Sequence, residues 1–93
     1  MPFNSKRYSF VDNWNEVGGV YGITNANDQM IYIGSTDSFK RRMNEHQNDR
    51  YHLMHRYSPL YAYAELIPDE RLRLRREQEL ISEYGPPCNR KVG

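Results

Sequence analysis

The sequence is poor in cysteine, in long apolar runs and in net charge, and each shortage excludes a class of protein. Cys88 is the only cysteine among 93 residues, which rules out an intrachain disulfide framework and a tetrahedral cysteine zinc site. One free thiol fits a reducing compartment, so we expect an intracellular, cytoplasmic protein. No stretch approaches the roughly 18 apolar residues of a membrane span, and the N-terminus lacks the apolar core of a signal peptide. We therefore expect no association with a membrane.

The net charge of +1 does not by itself indicate a nucleic-acid-binding protein. The distribution of charge is more informative, because residues 40–56 hold five basic and two acidic side chains. A local basic surface on a nearly neutral protein suits an anionic ligand bound in one place. A solvated helix surface explains the same charges equally well.

The length fits one small domain, which we expect to span 18–93 after a polar N-terminal segment at 1–17. The predicted strands are 18–24, 29–35 and 60–66; the predicted helices begin after Ser38, cover 49–57, and run from Glu70 to about Tyr84. This order predicts an α+β fold with a small three-stranded antiparallel sheet flanked by helices.

The first two strands are expected to form a hairpin that brings two tyrosines together. A turn centred on 26–27 would pair Tyr21 with Tyr32 and Gly19 with Gly34. Because side chains alternate along a strand, both tyrosines then share one face with both glycines. A glycine beside a tyrosine at a strand end leaves space for a ligand near the backbone, although tyrosine is also simply a good strand former.

Glu77 interrupts the apolar stripe of the last helix. The stripe consists of Leu74, Leu80, Ile81 and Tyr84. A carboxylate in that position must be paired or bind a cation, because an unpaired buried charge is costly. One interpretation is a structural ion pair with Arg73; the other is a metal ligand. A lone carboxylate completed by water and a substrate phosphate suits Mg²⁺.

Arg42 and His46 lie four residues apart, on one helix face near the strand that carries Tyr32. An arginine there can bind a phosphate through two parallel donors and stabilise charge that develops during displacement at phosphorus. His46 either positions a nucleophile or tyrosine hydroxyl, or is structural. Arg41 points elsewhere and is better explained as a solvated charge. Together with Glu77 these side chains predict a phosphodiesterase site.

Two further histidines leave alternatives open. His46, His52 and His55 could be imagined as a zinc site, but no accompanying pattern supports one, and a contact from His52 or His55 to a phosphate is the preferred interpretation. Tyr21 can accept a proton only if a nearby cation lowers its pKa, and Arg42 and the metal are such cations.

The elements described so far resemble the GIY-YIG nuclease family. They are Gly19-Val20-Tyr21, Tyr32-Ile33-Gly34, Arg42, His46, Glu77 and Asn89, in order across residues 19–89. The first triplet carries valine in place of isoleucine, on the face opposite Tyr21, which should cost little.

The resemblance implies a metal-dependent endonuclease that hydrolyses DNA. The implied catalytic residues are Tyr21, Tyr32, Arg42, His46 and Glu77, of which Glu77 would hold one Mg²⁺ or Mn²⁺ per active site. Tyr21 would assist the attacking water and Arg42 would hold the scissile phosphate. The implied substrate-binding residues are Gly34, Arg41, His52 and Asn89, and Asn89 would also tie the C-terminal tail back onto the site.

The same resemblance leaves the biological setting open. One active site is expected to nick one strand at a time, and specificity would come from a homodimer or a separate protein, or would be weak. The alternative of another class is a catalytically idle module that binds nucleic acid or a partner protein. A third is an RNA-directed or repair-type enzyme acting on a flap, junction or damaged strand.

Overall fold

The computed structural model describes residues 2–49 and 51–89. The strands are β1 (Tyr8–Ser9), β2 (Gly19–Thr24), β3 (Met30–Thr36) and β4 (Tyr61–Leu66); the helices are α1 (Phe39–Asn48) and α2 (Glu70–Tyr84). Short 3-10 turns cover Leu53–Tyr57 and Pro87–Asn89. The strands form one antiparallel sheet in the order β1-β4-β2-β3. The α+β class is confirmed, and the predicted count of three strands is wrong.

The strand that the sequence pattern did not reveal is β1. Tyr8 pairs with Ala62 and Ser9 with Tyr61, and the Phe10 amide donates to the Leu60 carbonyl at 2.9 Å. Two residues are too few to display the alternation by which a strand is recognised in a sequence. The N-terminal segment thus extends the sheet beyond β4.

The hairpin of β2 and β3 has a different register from the predicted one. Tyr21 faces Gly34, and Ile23 faces Tyr32. The turn is longer than expected because the Asn25 side chain accepts hydrogen bonds from the amides of residues 27 and 29, both at 3.0 Å. The shift is two residues, an even number, so Tyr21 and Tyr32 still share a face, as diagonal neighbours.

A register irregularity after Ile23 changes one side chain's face. Strict alternation would put Ile31 with Ile33, but Ile31 has no partner in the register and lies in the cluster that contains Tyr21. This is the effect of one extra residue in one strand, which turns its side chain to the other face.

The predicted helix over 49–57 is a 3-10 turn restricted to Leu53–Tyr57. The ring nitrogen Nδ1 of His52 accepts from the Met54 amide at 3.1 Å and thereby starts the turn. Ser58 has φ of 57°, outside helical geometry, and ends it before Pro59.

The two helices cover opposite faces of the sheet. Phe39 and Met43 of α1 pack in the cluster of Tyr21 and Ile23, whereas Leu80 of α2 packs against Val20 and Ile33. The helix starts follow the sequence prediction: Ser38 caps α1 and Asp69 caps α2. Within residues 2–49 and 51–89, the length and apolarity of the helices fall short of what crossing a membrane requires.

The apolar stripe of α2 is narrower than predicted. Leu80 is buried, but Leu74 and Tyr84 are 46% and 37% exposed. An ion pair adds to the apolar contact between α2 and the sheet, because Arg76 donates to both carboxylate oxygens of Glu65 on β4 at 2.9 Å. Arg76 also donates to the Glu79 carboxylate, at 3.0 Å.

Candidate active site

Tyr21 is fully buried, and its phenol lies across the backbone of β3 at Gly34. A Cβ atom added at position 34 would lie 2.4 Å from the Tyr21 hydroxyl oxygen, far inside van der Waals contact. Gly34 is therefore required for the position of Tyr21. The space that the sequence suggested for a ligand is occupied by this hydroxyl.

His46 holds the Tyr21 hydroxyl from α1. The ring nitrogen Nε2 lies 2.7 Å from the hydroxyl oxygen, in a hydrogen bond between two buried groups. Burial, and then the positive charge of Arg42, lower the pKa of His46 to about 3. The imidazole is therefore neutral at physiological pH, with one nitrogen that donates and one that accepts.

Tyr32 and Arg42 complete this side of the sheet. The Tyr32 ring centroid is 6.2 Å from that of Tyr21 and 5.4 Å from that of His46. The partly exposed Arg42 interacts with both phenol hydroxyls. Burial, and then Tyr32, raise the pKa of Tyr21, and Arg42 offsets only part of that rise. Arg42 thus lowers the pKa of Tyr21, as expected, but the effect of burial is larger and the net pKa is raised.

Glu77 approaches from α2, on the other face of the sheet. Burial raises the pKa of its carboxyl group, and hydrogen bonding by the side chain and backbone of Ser35 lowers it in part. Among the described residues Arg73 forms no ion pair with Glu77; its guanidinium donates to the Pro68 carbonyl at 3.3 Å. The structural explanation for Glu77 from the sequence is therefore wrong.

The two groups meet at the edge of the sheet, because β3 is an edge strand. Tyr21 lies over Gly34 from one face, and Glu77 interacts with the next residue, Ser35, from the other. Consecutive Cα atoms are about 3.8 Å apart. The Tyr21 phenol, with Arg42 beside it, and the Glu77 carboxylate therefore lie against neighbouring residues of this edge, on opposite faces of the sheet.

Comparison with known proteins identifies the domain. A family model described as the GIY-YIG catalytic domain matches residues 17–91. The chain belongs to the GIY-YIG family. A curated relative, UvrABC system protein C of Methanothermobacter thermautotrophicus, is 32% identical over an alignment of 75 residues. The match covers 76% of this chain but only 13% of that protein.

Solved GIY-YIG domains share the fold. The N-terminal endonuclease domain of UvrC from Thermotoga maritima, bound to magnesium as its catalytic cation, aligns with a TM-score of 0.72 and 25% identity over 83% of this chain and 88% of that one. A point mutant of the same domain, in which an asparagine is replaced by alanine and the catalytic divalent cation is bound, aligns with a TM-score of 0.73 and 24% identity, covering 84% and 88%.

The donor set of this GIY-YIG domain fits a hydrated divalent ion. The described residues hold no group of three or more His, Cys, Asp or Glu side chains arranged for a metal. Nδ1 of His52 and Nε2 of His55 are occupied by the Met54 amide and the His46 carbonyl, which argues against zinc. A single half-buried carboxylate fits Mg²⁺, because Mg²⁺ keeps several of its waters.

The ambiguity between the two later histidines of the GIY-YIG domain has a geometric answer. The ring of His52 packs edge-on against Tyr32 and His46, with centroids 5.1 and 5.2 Å apart. His55 lies behind the site, against Phe10, and binds the His46 backbone at 2.7 Å. His52 is therefore the histidine that lies beside the phenols.

Two residues expected to bind substrate are engaged elsewhere. Arg41 forms surface ion pairs with Asp37 and Glu45. Asn89 bonds through both polar atoms of its amide to the backbone of Ile33, at 2.7 Å each. Asn89 thus continues the hydrogen bonding of β3 at its open edge, between the two site positions 32 and 34.

Ser35 is the site residue that sequence reasoning did not single out. Its position on β3, one residue after Gly34, turns its side chain toward α2 and Glu77. The sequence feature that could have identified Ser35 is a polar residue at a strand position whose side chain should face a helix.

Proposed function

We propose that this chain is a metal-dependent endonuclease that hydrolyses DNA phosphodiester bonds and cuts one strand per active site. The observation that carries the proposal is that the Tyr21 phenol, which interacts with Arg42, and the Glu77 carboxylate lie against two consecutive residues of an edge strand. Endonuclease relatives of the same fold support the reaction class. Sequence specificity would come from a homodimer or a separate protein.

Arg42 is suited to the phosphate. It is partly exposed, and its neighbours at the site are the side chains of Tyr21 and Tyr32, so its charge is available to an anionic ligand. A nearby Glu45 lies 3.8 Å away, too far for a strong hydrogen bond. Arg42 would hold the scissile phosphate and stabilise the charge that builds on its oxygens.

Tyr21 is suited to orienting the attacking water. Its raised pKa keeps the phenol protonated at physiological pH, and the 2.7 Å bond to His46 fixes the hydroxyl direction. Tyr32 and His52 would bound the same pocket. When bound at Glu77, one Mg²⁺ would supply the charge that acidifies water and stabilises the leaving oxygen.

The test is plasmid nicking. Purified protein is incubated with supercoiled plasmid in Mg²⁺ or in chelator, beside Glu77→Ala and Arg42→Ala. We expect metal-dependent nicking that falls by about a hundredfold or more in either variant, the effect of losing an electrostatic contact in the transition state.

Arg41→Ala is the matched control for Arg42→Ala. It removes the same kind of side chain from the adjacent position, where Arg41 forms a surface ion pair with Asp37. It should leave nicking close to wild type. Equal activity in wild type and the Glu77→Ala variant would identify a contaminating nuclease. No cleavage of any DNA would favour the idle binding module.

A further inference from the structure

The turn that carries His52 presents an aromatic ring to solvent at the rim of the site. Tyr51 is 99% exposed, although a tyrosine ring is largely apolar. Its neighbour His52 packs against Tyr32 and His46. Tyr51 is therefore adjacent in sequence to His52, a residue whose side chain lines the proposed phosphate site.

The backbone around Tyr51 is held in place by specific bonds. The Tyr51 amide donates to the Asp49 carboxylate at 3.2 Å, and the His52 amide donates to the Asp49 carbonyl, also at 3.2 Å. Within the 3-10 turn that follows, Leu53–Tyr57, Met54 is completely buried in the core. The turn thus fixes His52 inward and Tyr51 outward at the same time.

We propose that Tyr51 is a stacking platform for an unpaired nucleobase next to the scissile phosphate. The inference rests on the proposed function and adds to it a substrate class: DNA in which a base beside the cut is already unstacked, as in a gap or flap. A ring exposed on both faces matches a base because every base offers a flat π surface.

The surrounding charges favour nucleic acid over a protein partner. The 3-10 turn Leu53–Tyr57 ends with Arg56 and Tyr57, which are exposed, and the positive charge of Arg42 is close enough to act on His52. Isolated aromatic rings beside cations are how proteins bind single strands without reading their sequence. An apolar protein interface would instead require a contiguous patch; among the described residues of this segment, the exposed large apolar side chains beside Tyr51 are Leu53 and Tyr57, 42% and 41% exposed, and the buried Met54 lies between them in sequence.

The experiment measures binding in chelator, so that it does not depend on cleavage. Fluorescence anisotropy with the full chain gives the Kd for a labelled duplex and for the same duplex with a short single-stranded gap, at several salt concentrations. Tyr51→Ala should weaken binding to the gapped DNA about tenfold, within the range for one stacked base. Binding to the intact duplex should change little.

Three variants make the result specific. Tyr51→Phe keeps the ring and should bind gapped DNA like wild type. Tyr57→Ala removes an exposed tyrosine at the far end of the same turn and should have little effect. Arg42→Ala should lower the slope of log K against log salt by about one, whereas Tyr51→Ala should leave that slope unchanged, because stacking releases no counterion.

Several outcomes would overturn the platform. They are equal losses for Tyr51→Ala and Tyr51→Phe, equal losses for Tyr51→Ala and Tyr57→Ala, or wild-type binding by Tyr51→Ala. A chain that nicks plasmid but shows no Tyr51 effect contradicts this inference alone. A chain that binds gapped DNA through Tyr51 but never cleaves contradicts the proposed function alone.

Discussion

The substitution Gly34→Ala tests whether the edge of β3 is shaped for the Tyr21 phenol. The new methyl group would lie 2.4 Å from the hydroxyl oxygen and 2.6 Å from ring carbon Cζ. The ring must retreat by about 1 Å, and it is completely buried among core side chains. Overpacking costs about 1–3 kcal/mol, and stretching the buried bond to His46 costs about 1–3 more.

Urea unfolding followed by circular dichroism, together with plasmid nicking, measures both consequences. We expect Gly34→Ala to lower the free energy of unfolding by about 2–6 kcal/mol and to lose nicking. Gly85→Ala is the control. It places an alanine in the left-handed backbone conformation (φ of 56°), but its methyl group would contact no other atom. It should cost about 1 kcal/mol and keep activity.

A double-mutant cycle measures whether the cost of Gly34→Ala depends on the Tyr21 hydroxyl. In a Tyr21→Phe background the closest overlap and the bond to His46 are both absent, so Gly34→Ala should cost less there than in wild type. Additive penalties, or a Gly34→Ala protein within about 0.5 kcal/mol of wild type, would show that the phenol does not depend on this glycine.

Three other predictions follow from the same contacts. His46 has a folded pKa of about 3 against 6.5 in the unfolded chain, so the unfolded state binds more protons between these values and stability falls as pH drops below 6.5. The loss is at most about 1.4 kcal/mol per pH unit, and urea curves at pH 7, 6 and 5 should show a shallower dependence for His46→Gln. Asn89→Ala removes both amide bonds to Ile33 and should cost about 1–3 kcal/mol, with lost hydrogen-exchange protection at the Ile33 amide. Arg76→Leu leaves the Glu65 carboxylate, whose side chain is 13% exposed, without its counter-charge and, among the described residues, with only the Asn4 amide as donor, and should cost about 3–5 kcal/mol in urea, part of which Glu65→Leu should restore.

The shared face of Tyr21 and Tyr32 was predictable from the sequence, whereas their exact pairing was not. Side-chain alternation has a period of two, so the two-residue error in register left both phenols on the predicted face. The register itself depends on side-chain bonds of Asn25 within the turn, which composition does not encode. Strand β1 escaped detection because two residues carry no period.

The position of Glu77 on a partly buried face of α2 was also predictable from the sequence. A helical wheel identified it as an acid on an apolar stripe, and burial of its carboxyl group fits that inference, even though Leu74 and Tyr84 turned out exposed. The wheel could not show that α2 lies on the face of the sheet opposite α1. That arrangement depends on long-range contacts such as the ion pair of Arg76 with Glu65.

The placement of the site at an edge strand explains why helices on opposite faces can contribute to one reaction centre. In the middle of a sheet, neighbouring strands would separate Tyr21 and Arg42 from Glu77; at β3 the outer side of the strand has no neighbour among the described strands. An open edge normally exposes unpaired backbone groups, and here Asn89 satisfies those of Ile33. The edge beside Gly34 and Ser35 is thereby kept free of another strand and accessible to an extended anionic backbone.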